Sequence, residues 1–178
     1  GAYSRRIAKT VGVELPNRPF KYEALVTESL KPFLNPVIST FSNDFWLYQT
    51  VAGELIGGRK TLENSGYTLT GSIDFLERFA RETVDLIPSS RYLNVLRQWA
   101  GICDITPDEK PLLGELEEVR GFIQANGFSG HGFMYSAVVA KLVAELIVDG
   151  KTSLPLDSFS PNRFKKKELL TLSASQSH

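Results

Sequence analysis

The stretch Gly127-Phe128-Ser129-Gly130-His131-Gly132-Phe133 is entered from Gly121-Phe122-Ile123-Gln124-Ala125 and left through Met134-Tyr135-Ser136-Ala137. Residues 121–125 have the composition of a short strand. Residues 134–148 have that of a helix, apolar nearly all round, with Ala137, Val138, Val139, Leu142, Val143, Leu146 and Ile147. A helix without a polar face is expected to be buried, and Gly150 fits its stop. Three glycines between strand and helix allow unusual backbone angles. The first amides of the helix have no internal acceptor, and the helix dipole adds positive charge there. Such an end suits an anion or an electron-rich carbonyl. The order is G-x-x-G-x-G, not the G-x-G-x-x-G of a dinucleotide pyrophosphate loop. On the residues alone a structural glycine turn is the simpler reading and a ligand cradle the other. His131 divides in the same way. A ring that fixes the loop through backbone hydrogen bonds is the simpler reading, and a general base or ligand contact is the alternative.

Working outward, the spacing of Tyr3, Ile7 and Val11 predicts a helix over residues 2–11, stopped by Gly12. Residues 20–28 read as a strand with Phe20, Tyr22, Ala24 and Val26 on one side. Residues 45–50 and 54–56 read as two more strands around Ala52-Gly53, and Gly57-Gly58 as the next turn. Ser72 can cap a helix carrying Ile73, Leu76, Ala80, Val84 and Ile87, which Pro88 ends. Residues 91–105 read as a long strand and residues 106–114 as a loop held by Pro107 and Pro111. The pattern predicts a mixed α/β (α+β) fold in layers, whose last helix needs cover from a partner segment. From Lys165 the chain is basic and then Ser-rich, which reads as a flexible tail over 165–178.

Composition narrows the function classes. The 178 residues are 42% hydrophobic and 22% charged, ordinary for a globular chain with a real core. Twenty basic residues balance twenty acidic ones, which leaves no global field for nucleic acid or an anionic membrane. No stretch has the apolar length of a membrane span, and the N-terminus lacks the apolar core of a secretory signal. Cys103 is the sole cysteine, so an internal disulfide is excluded and a cytoplasmic setting fits. With His178 terminal, no histidine pair is available and no metal is expected. Cys103 reads most simply as a small buried hydrophobe. Trp46, Tyr48 and Trp99 are candidate pocket walls, although strand aromatics are more often core. Asp108-Glu109 reads as a polar turn and Lys165-Lys166-Lys167 as a solvated run.

Four segments occur in a telling order: Arg97-Gln98-Trp99-Ala100-Gly101, Thr106-Pro107-Asp108-Glu109-Lys110-Pro111-Leu112-Leu113-Gly114, the Gly127 to Phe133 loop, and Asn162-Arg163-Phe164. Together they resemble the C-terminal half of the D-amino-acid oxidase superfamily of FAD-dependent oxidoreductases. The sarcosine oxidase β-subunit and the dye-linked proline dehydrogenases are the most similar branch. Gly1-Ala2-Tyr3-Ser4 resembles the end of that family's central FAD-binding segment. The residues from Pro19 to Glu28 resemble the first strand of its substrate domain, and Tyr48-Gln49-Thr50 with Gly53-Glu54 a later one. The resemblance implies residues 1–12 as the end of the central FAD-domain segment, 13–103 as the substrate domain, and 104–164 as the C-terminal FAD-domain segment with its last strand and helix.

It also implies that Gly1, Ala2, Gly127, Phe128, Ser129, Gly130, His131, Gly132 and Phe133 bind FAD, with the loop at the pyrimidine edge of the flavin. The implied reaction is oxidation of a sarcosine-, proline- or glycine-like amine by hydride transfer. The family's N-terminal half, with its adenosine and pyrophosphate site, is expected in the same or another chain of a hetero-oligomer. Similarity to the monomeric sarcosine oxidases puts Gly101 where they carry a covalent flavin cysteine. It puts Met134 where they carry a carboxylate-binding lysine. Similarity to glycine and D-amino-acid oxidases puts Cys103 at their carboxylate-binding arginine. Tyr48, Trp99 and Met134 are the pocket candidates, and no catalytic base is assigned. A non-catalytic flavoprotein subunit or assembly scaffold is the alternative, and a tRNA-modifying flavoprotein a weaker one without a basic surface.

Overall fold

The computed structural model describes residues 1–40, 42, 44–60 and 66–165. Lys166, Lys167 and His178 of the expected tail lie outside the described residues. The chain runs through α1 (Ser4–Thr10), β1 (Arg18–Ser29), β2 (Ile38–Thr40), β3 (Phe45–Gln49), β4 (Glu54–Lys60), α2 (Ile73–Leu86), β5 (Val95–Ile105), β6 (Leu112–Leu116), β7 (Val119–Asn126) and α3 (Gly132–Asp149). It forms two compact units, Phe20–Ile102 and a second made of Gly1–Pro19 with Cys103–His178.

The unit Phe20–Ile102 is a five-stranded sheet in the order β2-β3-β4-β1-β5, with α2 on one face. Period-two alternation decides which side chains meet the helix. Leu25, Phe45, Leu47 and Leu55 bury against Phe75 and Phe79 of α2, and the Phe45 and Phe79 rings stack at 4.9 Å. Losing a ring such as Phe79 costs about 3–5 kcal/mol. The opposite face carries Ala24, Val26, Trp46, Tyr48, Ile56 and Gly58, paired Ala24 with Gly58, Val26 with Ile56, Trp46 with Gly58 and Tyr48 with Ile56.

Gly57-Gly58 is not a turn but two positions inside β4. A Cβ on Gly57 would lie 2.3 Å from the Phe79 ring, and one on Gly58 2.5 Å from the Glu23 carbonyl and 3.0 Å from the Trp46 ring. The glycines let rings press onto the strand from both faces, which local sequence reads as a turn signal.

Ser72 caps α2 as expected, its Oγ accepting the Phe75 amide at 3.3 Å. Below the cap lies a buried carboxylate. Glu23 accepts the Ser72 amide at 2.5 Å, the Ser72 hydroxyl at 2.8 Å and the Gln98 amide at 3.2 Å. Lys21 Nζ neutralises it at 3.1 Å. Residues 91 and 92 belong to a 3-10 turn over Pro88–Tyr92, so β5 starts four residues later than the composition suggests. Proline sets the helical φ that begins this turn.

In the second unit, β6 and β7 form an antiparallel hairpin. Leu112 and Leu116 pack with Ala8 of α1, Val13 and Leu15. Residues 112–114, expected in a loop, are therefore strand: β7 supplies a partner that pairs Leu112 with Asn126 and Leu113 with Ala125. Gly12 and Gly150 stop α1 and α3 with positive φ. Arg163 binds the turn ahead of β6. Its Nε and Nη2 donate to Asp108 at 2.9 Å each, and further bonds reach the Lys110, Pro111, Phe159 and Ser160 carbonyls.

Within this chain α3 is covered along part of its surface only, as expected of a helix that needs cover from a partner segment. Only Val139 and Leu142 are buried, while Phe133, Met134, Tyr135, Val138, Ile147 and Val148 stand exposed. One stripe of α3 packs here; its other apolar faces meet no described element.

Candidate functional site

The strand β7 delivers the chain into Gly127, whose φ of +69° a side chain resists. A Cβ there would also lie 2.5 Å from Thr106 Cγ2. The backbone turns again through Ser129 at φ +50° and Gly130 at φ +94°. His131 Nα–H closes a turn on the Phe128 carbonyl at 2.9 Å, and α3 starts at Gly132. The first intrahelical bond runs from the Tyr135 amide to the His131 carbonyl at 3.3 Å. The amides of Gly132, Phe133 and Met134 precede it, so they are free of the helix ladder. The surface around them is open. A Cβ on Gly130 would meet nothing within 4 Å, and Phe133 is 97% exposed.

Asp104, at the end of β5, holds this loop. Its Oδ2 accepts the Gly127 amide at 2.8 Å, and its carbonyl accepts the Ser129 amide at 3.0 Å. Its Oδ1 accepts Asn17 Nδ2, and the Gly1 nitrogen lies 3.8 Å from Oδ2. Ser129 Oγ accepts the Thr106 amide at 3.3 Å, adding a second brace. Asp104 is 8% exposed. Sequence reasoning missed it; the one available signal was an acid inside the apolar run Ile102-Cys103-Asp104-Ile105.

The structure thus brings Gly1 and the Gly127 to Phe133 loop together around one carboxylate. Among the described residues the His131 ring makes no capping bond, and it lies 6.1 Å from the Tyr135 ring. The bracing comes from Asp104 and Ser129 instead. Tyr48 and Trp99 share a sheet face. Gln98 reaches the Ser72 carbonyl on the helix side at 2.9 Å, which turns its neighbour Trp99 to the other face with Tyr48. Two strands separate β3 from β5, so the two rings start about 14 Å apart across the sheet. Tyr48 stacks instead on Trp46, 6.0 Å away. Met134, at the first turn of α3, is 67% exposed. Asp108 is held well below the ordinary carboxylate range, to about 2, by the Arg163 guanidinium bonded to it. Among the described residues no three His, Cys, Asp or Glu side chains gather as metal ligands.

The family model described as FAD dependent oxidoreductase matches residues 1–146. The chain belongs to that family of FAD-dependent oxidoreductases. Over 165 residues it is 29% identical to the hydrogen cyanide synthase subunit HcnC of Pseudomonas protegens, covering 92% of this chain and 39% of that protein. Over 168 residues it is 29% identical to the sarcosine oxidase subunit beta of Rhodobacter capsulatus, covering 94% and 40%. Among solved structures, the L-proline dehydrogenase of P. horikoshii matches with a TM-score of 0.85 and 36% identity, over 94% of this chain and 46% of that one. The chain spans about two-fifths of the curated relatives it matches, 39% and 40% of their lengths. The expected D-amino-acid oxidase superfamily and mixed α/β class hold.

FAD is the cofactor this family uses. The donor set at the α3 N-terminus fits a flavin edge: backbone amides, an open glycine loop and no acidic side chain in the first helical turn. Among the described residues no helix is long and apolar enough to cross a membrane.

Proposed function

We propose that this chain is part of a flavoenzyme that oxidises a secondary amine or amino acid, of sarcosine, proline or glycine type. The observation that carries the reading is the α3 start behind the Gly130 turn, where the amides of Gly132, Phe133 and Met134 precede the first intrahelical bond, in a chain of this family. Bound FAD would supply the redox chemistry by accepting a hydride. Gly127 to Phe133, with Gly1 and Ala2, would hold the flavin. The α3 amides would offset the negative charge that gathers at its pyrimidine edge on reduction, which favours hydride acceptance. Tyr48 and Trp99 in the sheet unit, and Met134 in the other, are the candidates for substrate contact.

In this reading residues 1–12 and 104–164 are FAD-domain segments and residues 13–103 the substrate domain. An N-terminal half, in the same or another chain, would complete the adenosine site. We place the protein in the cytoplasm as part of a hetero-oligomer. The similarity to a sarcosine oxidase subunit beta supports the second point.

The test is an anaerobic absorbance titration of the intact protein, loaded with FAD, with sarcosine, L-proline and glycine. Bleaching of the visible flavin band by one of them is expected and chooses the substrate. A flavin spectrum that none of them bleaches refutes the substrate class. Failure to take up FAD refutes the site and leaves a scaffold subunit.

A further inference from the structure

We propose that Asp104 is the positioning residue of the flavin site, the strut that aims the α3 amides. This rests on the reading of the glycine loop as the flavin-binding segment. Asp104 bonds the loop at two points, with its carboxylate at Gly127 and its carbonyl at Ser129, 2.8 and 3.0 Å. Between these two points, the Phe128 carbonyl accepts the His131 amide, and α3 begins at the residue after His131. No described bond from the His131 ring fixes the helix start, so its direction follows from the loop that Asp104 holds. The same carboxylate binds Asn17 and lies against Gly1, so both cofactor-facing segments share one anchor.

Asn17 adds an independent sign. It is 1% exposed, and its Oδ1 has no hydrogen-bond partner among the described residues. This predicts an asymmetry between substitutions. In Asp104→Asn, the one remaining side-chain oxygen can take the place of Oδ2 and accept the Gly127 amide, which turns the new amide nitrogen toward Asn17. A flip of Asn17 then lets its orphan Oδ1 accept from the new amide, so the geometry survives. In Asp104→Ala the loop loses its side-chain acceptor, and two buried donors lose their partner.

The experiment uses the intact protein with FAD. Affinity is read by flavin fluorescence, the midpoint potential by spectroelectrochemistry and folding by thermal melting. Asp104→Ala is expected to weaken FAD about tenfold or more and to shift the potential, since a charge-assisted hydrogen bond is worth that ratio. Asp104→Asn is expected to restore affinity to within about threefold. It should raise the potential, because a buried negative charge no longer opposes reduced flavin. A folded Asp104→Ala protein with wild-type affinity and potential overturns the proposal, as does Asp104→Asn binding no better than Asp104→Ala. If Asp104→Ala does not fold, Asn17→Ala replaces it, with about threefold weaker binding expected. Unchanged affinity there also overturns the proposal. Wild-type protein that takes up no FAD refutes the flavin site itself, which separates the two failures.

Discussion

Arg163 commits all three guanidinium nitrogens to the segments beside β6, bridging Asp108 and four backbone carbonyls. A lysine has neither the fork nor the number of donors, so Arg163→Lys is not conservative here. The pair also carries a pH signature. Asp108 has its folded value lowered from 3.8 to about 2, chiefly by the Arg163 hydrogen bonds. A lowered carboxyl stabilises the fold fully above its unfolded value, and the contribution fades as pH falls through the folded one. The window is therefore pH 4 down to 2, and the loss is about 2 kcal/mol, given 1.36 kcal/mol per unit. Urea unfolding of wild type and Asp108→Asn across that window checks it: the two curves should converge toward pH 2. Parallel curves would show that the ion pair contributes nothing.

At the scale of the element, α2 is held at its N-terminus by a group from a strand 49 residues away in sequence. Glu23 places a carboxylate where the helix dipole and the Ser72 amide both favour it, and Lys21 balances its charge. Breaking one side of such a pair strands the other. Glu23→Ala leaves Lys21 buried and uncompensated, at an expected cost of about 3–5 kcal/mol. The double variant Lys21→Met with Glu23→Leu should recover much of that, since apolar replacement of a whole buried pair is often neutral. Thermal melts of the three proteins decide the matter. A Glu23→Ala melt equal to wild type would show that the network is slack. For α3 the balance is reversed. Its N-terminal loop is braced while its apolar flanks lie open, so the helix is positioned from one end and covered along one stripe only.

At the scale of the whole molecule, those open flanks make a prediction about the intact protein. Val138 and Ile147 are exposed here on an apolar helix. If an N-terminal half covers α3, as proposed, Val138→Asp buries a charge without a partner and should cost about 2 kcal/mol or more. Chemical denaturation of the intact variant measures this. An unchanged midpoint would mean the face is wet in the complete protein. The two units also divide the candidate residues. Gly1, Ala2, Asp104, Met134 and the glycine loop belong to one, and Tyr48 and Trp99 to the other.

Much of this was legible in order along the chain. The family could be read from four short segments, α2 from its Ser72 cap and apolar spacing, and the stops of α1 and α3 from Gly12 and Gly150. The glycine loop with its helix start could be read from three glycines ahead of an apolar run. These are local signals, set by φ/ψ preferences and by amides that lack a partner within one turn. Tertiary structure alone decided that Gly57-Gly58 lies inside a strand, because the rings that need the space come from Phe79 and Trp46. It decided that Asp104, rather than His131, braces the loop, through bonds to Asn17 and Gly127. It also decided that Val139 and Leu142 form the stripe of α3 that packs within this chain. Each of these depends on groups brought from distant positions, and no period or spacing within a short window records which distant group will arrive.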